Sequence, residues 1–131
     1  MNEAEDKNIS LAQMQRIVDD WIRTVGVRYF SPLTNMAVLT EEVGEVARCM
    51  ARLHGDQSTK SGERLNLADE LADVLWVVCA LANQTGVDLT EEFINNKNKK
   101  NVRDSERHKN NPRLKNENPV EQKSEKQNKK K

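Results

Sequence analysis

A chain of 131 residues is the size of one domain, and with 32% charged and only 4% aromatic residues its core must be aliphatic. The 21 basic and 21 acidic residues balance, but from Arg103 onward there are ten basic and five acidic residues, leaving 11 and 16 in residues 1–102, so an acidic folded part carries a basic tail. The longest apolar run is broken by Asp73 and too short to span a bilayer, and Met1-Asn2-Glu3-Ala4-Glu5-Asp6 has no basic stretch leading into an apolar one; no membrane partner and no secretory signal are expected, and the expected compartment is the cytoplasm.

Residues 1–9 are polar and read as a flexible N-terminus. Ser10 then has the character of an N-cap, and Gln13 completes a capping box. Leu11, Met14, Ile17, Val18, Trp21, Ile22 and Val25 follow at helical spacing, and Gly26 is a plausible stop. Residues 27–33 read as a connector ending in Ser31-Pro32. A second helix is expected from Thr34 or Asn35, both good caps, with Leu39, Val43, Val46, Met50 and Leu53 on its apolar side and an end by Gly55. Residues 55–64 read as a loop.

A third helix is expected from about Asn66 to Thr85, closing at Gly86. Its middle, Leu71 to Ala82, is apolar on nearly every side except at Asp73. Such a helix must be covered all round, either by a central place among its neighbours or by association with further copies of the chain. Asp88-Leu89-Thr90-Glu91 opens a fourth helix towards Asn101. Beyond Arg103 the apolar pattern stops, and residues 104–131 read as a disordered basic tail. No segment alternates as a strand would. The fold class is therefore all-α: four helices within residues 10–103, completed by homo-oligomerisation. Cys49 and Cys79 fall in helical segments and read as buried thiols of a reducing compartment.

Two short phrases concentrate the chemistry. Glu41-Glu42-Val43-Gly44-Glu45 and Asp69-Glu70-Leu71-Ala72-Asp73 each carry an acid pair spaced i,i+3, on one helix face. A carboxylate on a buried helix needs a compensating partner or loses its charge. Facing acids cannot compensate one another, whereas a divalent cation can. Magnesium takes oxygen ligands and commonly bridges carboxylates to phosphates. Either phrase alone reads as a solvated helix face; the two together, on adjacent apolar helices, bring the metal reading level with it. A di-iron bundle would need Glu-x-x-His pairs, and neither His54 nor His108 stands three residues after a Glu. Lys97, Lys100, Asn101 and Arg103 form a basic string at the end of the fourth helix, suited to phosphate oxygens or to a solvated, dipole-favoured helix end.

Taken together, Glu41-Glu42-Val43-Gly44-Glu45, Glu70-Leu71-Ala72-Asp73-Val74-Leu75, Gly86-Val87-Asp88-Leu89 and Lys97-x-x-Lys100-Asn101-x-Arg103 resemble the MazG-like family of all-α nucleoside triphosphate pyrophosphohydrolases, over residues 10–103. The resemblance implies hydrolysis of a nucleoside triphosphate to the monophosphate and pyrophosphate. It implies magnesium, or manganese in its place, as cofactor, and a homodimer or homotetramer. Glu42, Glu45, Glu70 and Asp73 would hold the metal, with Glu41 as an outer acid or the group that orients water. Lys97, Lys100, Asn101 and Arg103 would hold phosphates, and Asn35 either faces the nucleotide or caps its helix. The sequence departs from cytosine-preferring relatives, with Val18, Val27, Arg52 and Val77 at the matching positions. Trp21, Tyr29, Phe30 and Trp76 could supply stacking instead, although core packing is the first reading of both tryptophans. The alternatives are a nucleotide-binding module without hydrolysis and a helical oligomerisation module whose acids face solvent. The tail lacks interleaved aromatics, so nucleic acid is not an expected partner.

Overall fold

The computed structural model of the chain describes residues 8–115, which contain helices and no strand. The order is α1 (Leu11–Thr24), α2 (Pro32–Leu53), α3 (Leu67–Thr85), α4 (Leu89–Lys109) and the short α5 (Pro112–Lys115). The chain divides into two units between Glu92 and Phe93, so α4 begins in the first and continues in the second.

Caps set most of the helix ends. The Ser10 hydroxyl accepts from the Gln13 N–H at 3.2 Å while the Gln13 side chain accepts from the Ser10 N–H at 2.8 Å, the reciprocal box expected of these residues. Asn66 Oδ1 accepts from the Asp69 N–H at the start of α3, and Gly86 closes that helix at φ 71°, in the left-handed region that glycine occupies without strain. Asp88 accepts from the N–H groups of Thr90 and Glu91 at the start of α4.

Two boundaries differ from expectation. Helix α2 is capped by Ser31, with Pro32 as its first residue, so it starts before Thr34 and Asn35. Pro32 lacks an N–H and has a preset φ, which suits the first helical position. Neither Thr34 nor Asn35 is therefore the cap. Helix α4 runs past Asn101 to Lys109. In the second unit Asp104 pairs with Arg103 at 2.8 Å and Arg107 at 3.0 Å, and Glu106 with Lys109 at 3.3 Å. Spacings of three along a helix support it without any apolar stripe. Helix α5 also falls in the stretch expected to be disordered, while residues 1–7 of the expected flexible N-terminus and 116–131 of the expected tail lie outside the described residues.

In the first unit, α1 and α2 both pack on α3. Val18 and Ile22 of α1 meet Cys79 and Ala80 of α3, with Met14, Tyr29, Trp76 and Leu89 against them. Cys49 and Cys79 are buried free thiols. The full cover expected for α3 is not reached within one chain: Val77, Cys79, Ala80 and Ala82 are buried, but Leu71 and Leu75 remain about half exposed. Among the described residues no helix is long and apolar enough to cross a membrane.

Candidate metal centre and adjoining pocket

The packing of α2 on α3 brings their acid phrases together. Glu42, Glu70 and Asp73 each offer an oxygen, and these oxygens lie within 4.8 Å of one another. Oxygens on one magnesium ion lie about 3.0 Å apart when adjacent and about 4.2 Å when opposite, so the three carboxylates would draw together to share an ion. Burial first, then the charges of Asp73, Glu70, Glu41 and Glu45, hold the Glu42 carboxyl above its usual range. Hard oxygen donors, mutual repulsion and a shared vertex fit a hard divalent ion.

Glu45 is turned elsewhere. Arg48, one turn along α2, donates from Nε to Glu45 at 2.7 Å and from Nη1 to Glu63 at 2.6 Å, and its Nη2 lies 3.9 Å from Glu70. Glu63 also lies 3.0 Å from Arg52 Nε, an ion pair not aligned for a hydrogen bond. The Lys60 N–H first, then Arg48, pull the Glu63 carboxyl below its usual range, and its bonds to Glu45 and Glu63 raise the Arg48 guanidinium. The structure thus gathers three of the four expected ligands and gives the fourth an arginine. The three-residue spacing of Glu45 and Arg48 was a legible sign of that pair. The contribution of Glu63, from the loop before α3, had no periodic signal.

The acid cluster borders a pocket of about 320 Å³. Glu42 and Asp73 stand in its wall together with Trp21, Trp76, Tyr29, Phe30 and Asn35. The two indoles meet edge to face, 5.5 Å apart at 85°, so they serve packing and pocket at once. The segment from Gly26 to Phe30 forms another wall through Gly26, Arg28, Tyr29 and Phe30. Its Val27 sits at φ 71°, strained for a β-branched residue. Tyr29 is anchored from behind: its hydroxyl donates to Asp19 at 2.5 Å and accepts from Asn83 at 3.2 Å. Of Val18, Val27, Arg52 and Val77, Val77 lines the pocket; Val18 is in the core, Val27 is exposed and Arg52 pairs with Glu63.

Asn35, released from the capping role, is 6% exposed on the first turns of α2 and lines the pocket. Its Nδ2 donates to Gln84 Oε1 at 2.8 Å. Glu41 is exposed beside Glu42, and Asp69 occupies the first turn of α3, where an acid suits the helix dipole. Lys97, Lys100, Asn101 and Arg103 are exposed residues of α4 in the second unit, Arg103 being paired with Asp104.

Comparison with known proteins gives this arrangement a context. Residues 30–108 match the family model of the MazG nucleotide pyrophosphohydrolase domain. The Bacillus subtilis protein YpjD is 37% identical over 99 residues, covering 75% of this chain and 89% of that protein. Its crystal structure, described there as that of a candidate pyrophosphatase, aligns with a TM-score of 0.63 at 35% identity, over 70% of this chain and 95% of that one. A Bacillus-conserved MazG protein described as a nucleotide pyrophosphohydrolase aligns with a TM-score of 0.62 at 36% identity, over 76% and 97%. The iMazG protein of Vibrio DAT 722 aligns with a TM-score of 0.55 at 28% identity, over 72% and 96%.

Proposed function

Because the chain belongs to the MazG nucleotide pyrophosphohydrolase family, we propose that it is a magnesium-dependent enzyme splitting a nucleoside or deoxynucleoside triphosphate into the monophosphate and pyrophosphate. One observation carries the reading: three carboxylates from two helices converge within 4.8 Å at the edge of an aromatic-walled pocket. A pocket of this size suits a small polar ligand with a flat ring, and the acids beside it suit the cation that accompanies a triphosphate.

Glu42, Glu70 and Asp73 hold the ion in this reading, and Glu45 joins them by leaving Arg48. When bound, magnesium or manganese draws charge from the phosphates and from the departing pyrophosphate. Glu41 orients the attacking water for displacement at the α-phosphorus, opening the anhydride bond to the β-phosphate. Lys97, Lys100, Asn101 and Arg103 bind phosphate oxygens, Arg103 exchanging Asp104 for the substrate. Asn35 and the aromatic walls receive the nucleoside. Positioning and charge complementarity then supply most of the rate. The working form is a homodimer or homotetramer in the cytoplasm, acting on nucleotide pools and not on nucleic acid or membranes.

The test is pyrophosphate release from a panel of triphosphates. Release should require Mg²⁺ or Mn²⁺, stop with chelator, and fall at least about a hundredfold in Asp73→Asn while helicity persists. Nucleotide binding without release over hours would replace the hydrolase with a binding module.

A further inference from the structure

The amide chain behind Asn35 has a forced polarity. The carbonyl of Phe30 can only accept, and Gln84 Nε2 donates to it at 2.6 Å. The Gln84 amide is thereby oriented with its oxygen towards Asn35, and that oxygen accepts from Asn35 Nδ2 at 2.8 Å. Rotating either amide by half a turn would face oxygen to oxygen. The orientation of Asn35 thus follows from a backbone carbonyl, through Gln84, across 49 residues of sequence. With Nδ2 engaged, Asn35 is left with its oxygen and one further N–H, on a residue that is 6% exposed and stands in the pocket wall.

An accepting oxygen beside a donating N–H complements an exocyclic amino group next to an unprotonated ring nitrogen. Cytosine and adenine present that edge. On their pairing edge uracil, thymine and hypoxanthine present a carbonyl next to a protonated ring nitrogen, which opposes both groups; guanine does the same at O6 and N1–H and offers an amino group beside an unprotonated nitrogen only at N2 and N3, close to the ribose. A freely turning amide would serve either set, whereas one locked by Gln84 serves the first. The other polar groups of the pocket are committed elsewhere, Glu42 and Asp73 to the acid cluster. Arg28 is exposed, with its Nη1 spent on the Tyr29 carbonyl, and the Tyr29 hydroxyl is already engaged with Asp19 and Asn83. A buried amide facing the wrong edge leaves unpaired polar groups on both partners, and that penalty is the usual source of strong discrimination.

We propose that Asn35, oriented by Gln84 and the Phe30 carbonyl, makes the pocket selective for cytosine and adenine over their keto counterparts, uracil and hypoxanthine. The inference rests on the reading of this pocket as the nucleotide site. Two measurements keep the two apart. Pyrophosphate release with Mg²⁺ compares CTP with UTP and ATP with ITP, and calorimetry compares the unhydrolysed CMP with UMP and AMP with IMP. Within each pair the amino-bearing member should be favoured at least about tenfold, in kcat/KM for the triphosphates and in affinity for the monophosphates. Gln84→Met, which leaves Asn35 in place but unoriented, should bring both ratios to within about threefold. Asn35→Leu should do the same, and where circular dichroism shows that variant unfolded, Gln84→Met carries the test. Equal or reversed ratios in the unaltered chain, or ratios that survive in Gln84→Met, overturn the proposal. If no triphosphate is hydrolysed yet the monophosphates discriminate as stated, the hydrolase reading falls and this inference stands.

Discussion

Glu42 carries a charge that the folded chain disfavours. Burial and four neighbouring acids hold its carboxyl above the usual range. An acid whose folded pKa exceeds its unfolded value contributes most when protonated, and that contribution is lost as pH rises from the unfolded value of about 4.5 through the folded one. Without metal, Glu42→Gln should therefore raise the melting temperature by a few degrees at neutral pH and flatten its dependence on pH above 4.5. The same substitution should remove hydrolysis. Calorimetric melting in chelator and in excess Mg²⁺ checks the first, because the unaltered chain should gain stability from the ion and the variant should gain little, and pyrophosphate release checks the second. A lower melting temperature in chelator would show that Glu42 makes a favourable contact instead. Glu45 has the opposite surroundings: Arg48 neutralises it and is itself held by Glu63. The two acids of α2 thus differ: repulsion prepares Glu42 for a cation, while Glu45 already has an organic cation of its own.

At the scale of elements, Tyr29 joins three parts of the first unit. It lies in the connector after α1, donates to Asp19 of α1, accepts from Asn83 of α3, and has the Arg23 guanidinium 5.5 Å from its ring centre. The Tyr29 hydrogen bond first, and then Arg23, hold the Asp19 carboxyl below its usual value of 3.8. A depressed acid contributes stability above its unfolded pKa and loses it as pH falls through the folded one. Tyr29→Phe should cost about 1 kcal/mol at neutral pH and should lose less than the unaltered chain on going to about pH 3. Urea unfolding at the two pH values measures this; a variant with an unchanged acid limb would remove Tyr29 as the main cause. This network was not legible in the sequence, because its members are 10 and 54 residues apart and follow no period. The ends of α1 and α3 were legible, since Ser10, Asn66 and Gly86 act through their immediate neighbours. So was the shared face of each acid pair, which i,i+3 spacing fixes, whereas the meeting of the two phrases depends on the packing of α2 on α3, which brings Glu42, Glu70 and Asp73 together and leaves Glu45 with Arg48. The start of α2 was misplaced because two good caps, Thr34 and Asn35, stand just inside the true one, Ser31. The end of α4 was set too early because charge pairs, not apolar periodicity, continue it. Asn35 could be singled out as a residue, but its orientation comes from Gln84 on another helix.

At the scale of the whole molecule, the first unit leaves apolar surface on the helices that make the site. On α2, Leu33, Met36, Val43 and Met50 share one face and are 84%, 51%, 50% and 43% exposed. On α3, Leu71 and Leu75 are one turn apart and 48% and 50% exposed. Rows of half-exposed leucine and methionine along packed helices are what a closed homo-oligomer covers, and a stable association buries roughly 800 Å² on each partner. A two-fold arrangement would use these same faces on both copies. Leu71 and Leu75 stand two residues either side of Asp73, which puts them on the opposite face of α3 from the acid pair, so an interface there would leave the acids and their pocket open. Light scattering after gel filtration should give a mass of two or four chains. Replacing Leu71 and Leu75 together by lysine should return a folded monomer that still binds Mg²⁺, measured by calorimetry, because neither leucine shares the face of the acids. A single-chain mass for the unaltered protein would remove the oligomer from the proposed function. An oligomer that persists in the double variant would move its interface away from this face of α3, leaving the Leu33–Met50 face of α2 to account for association.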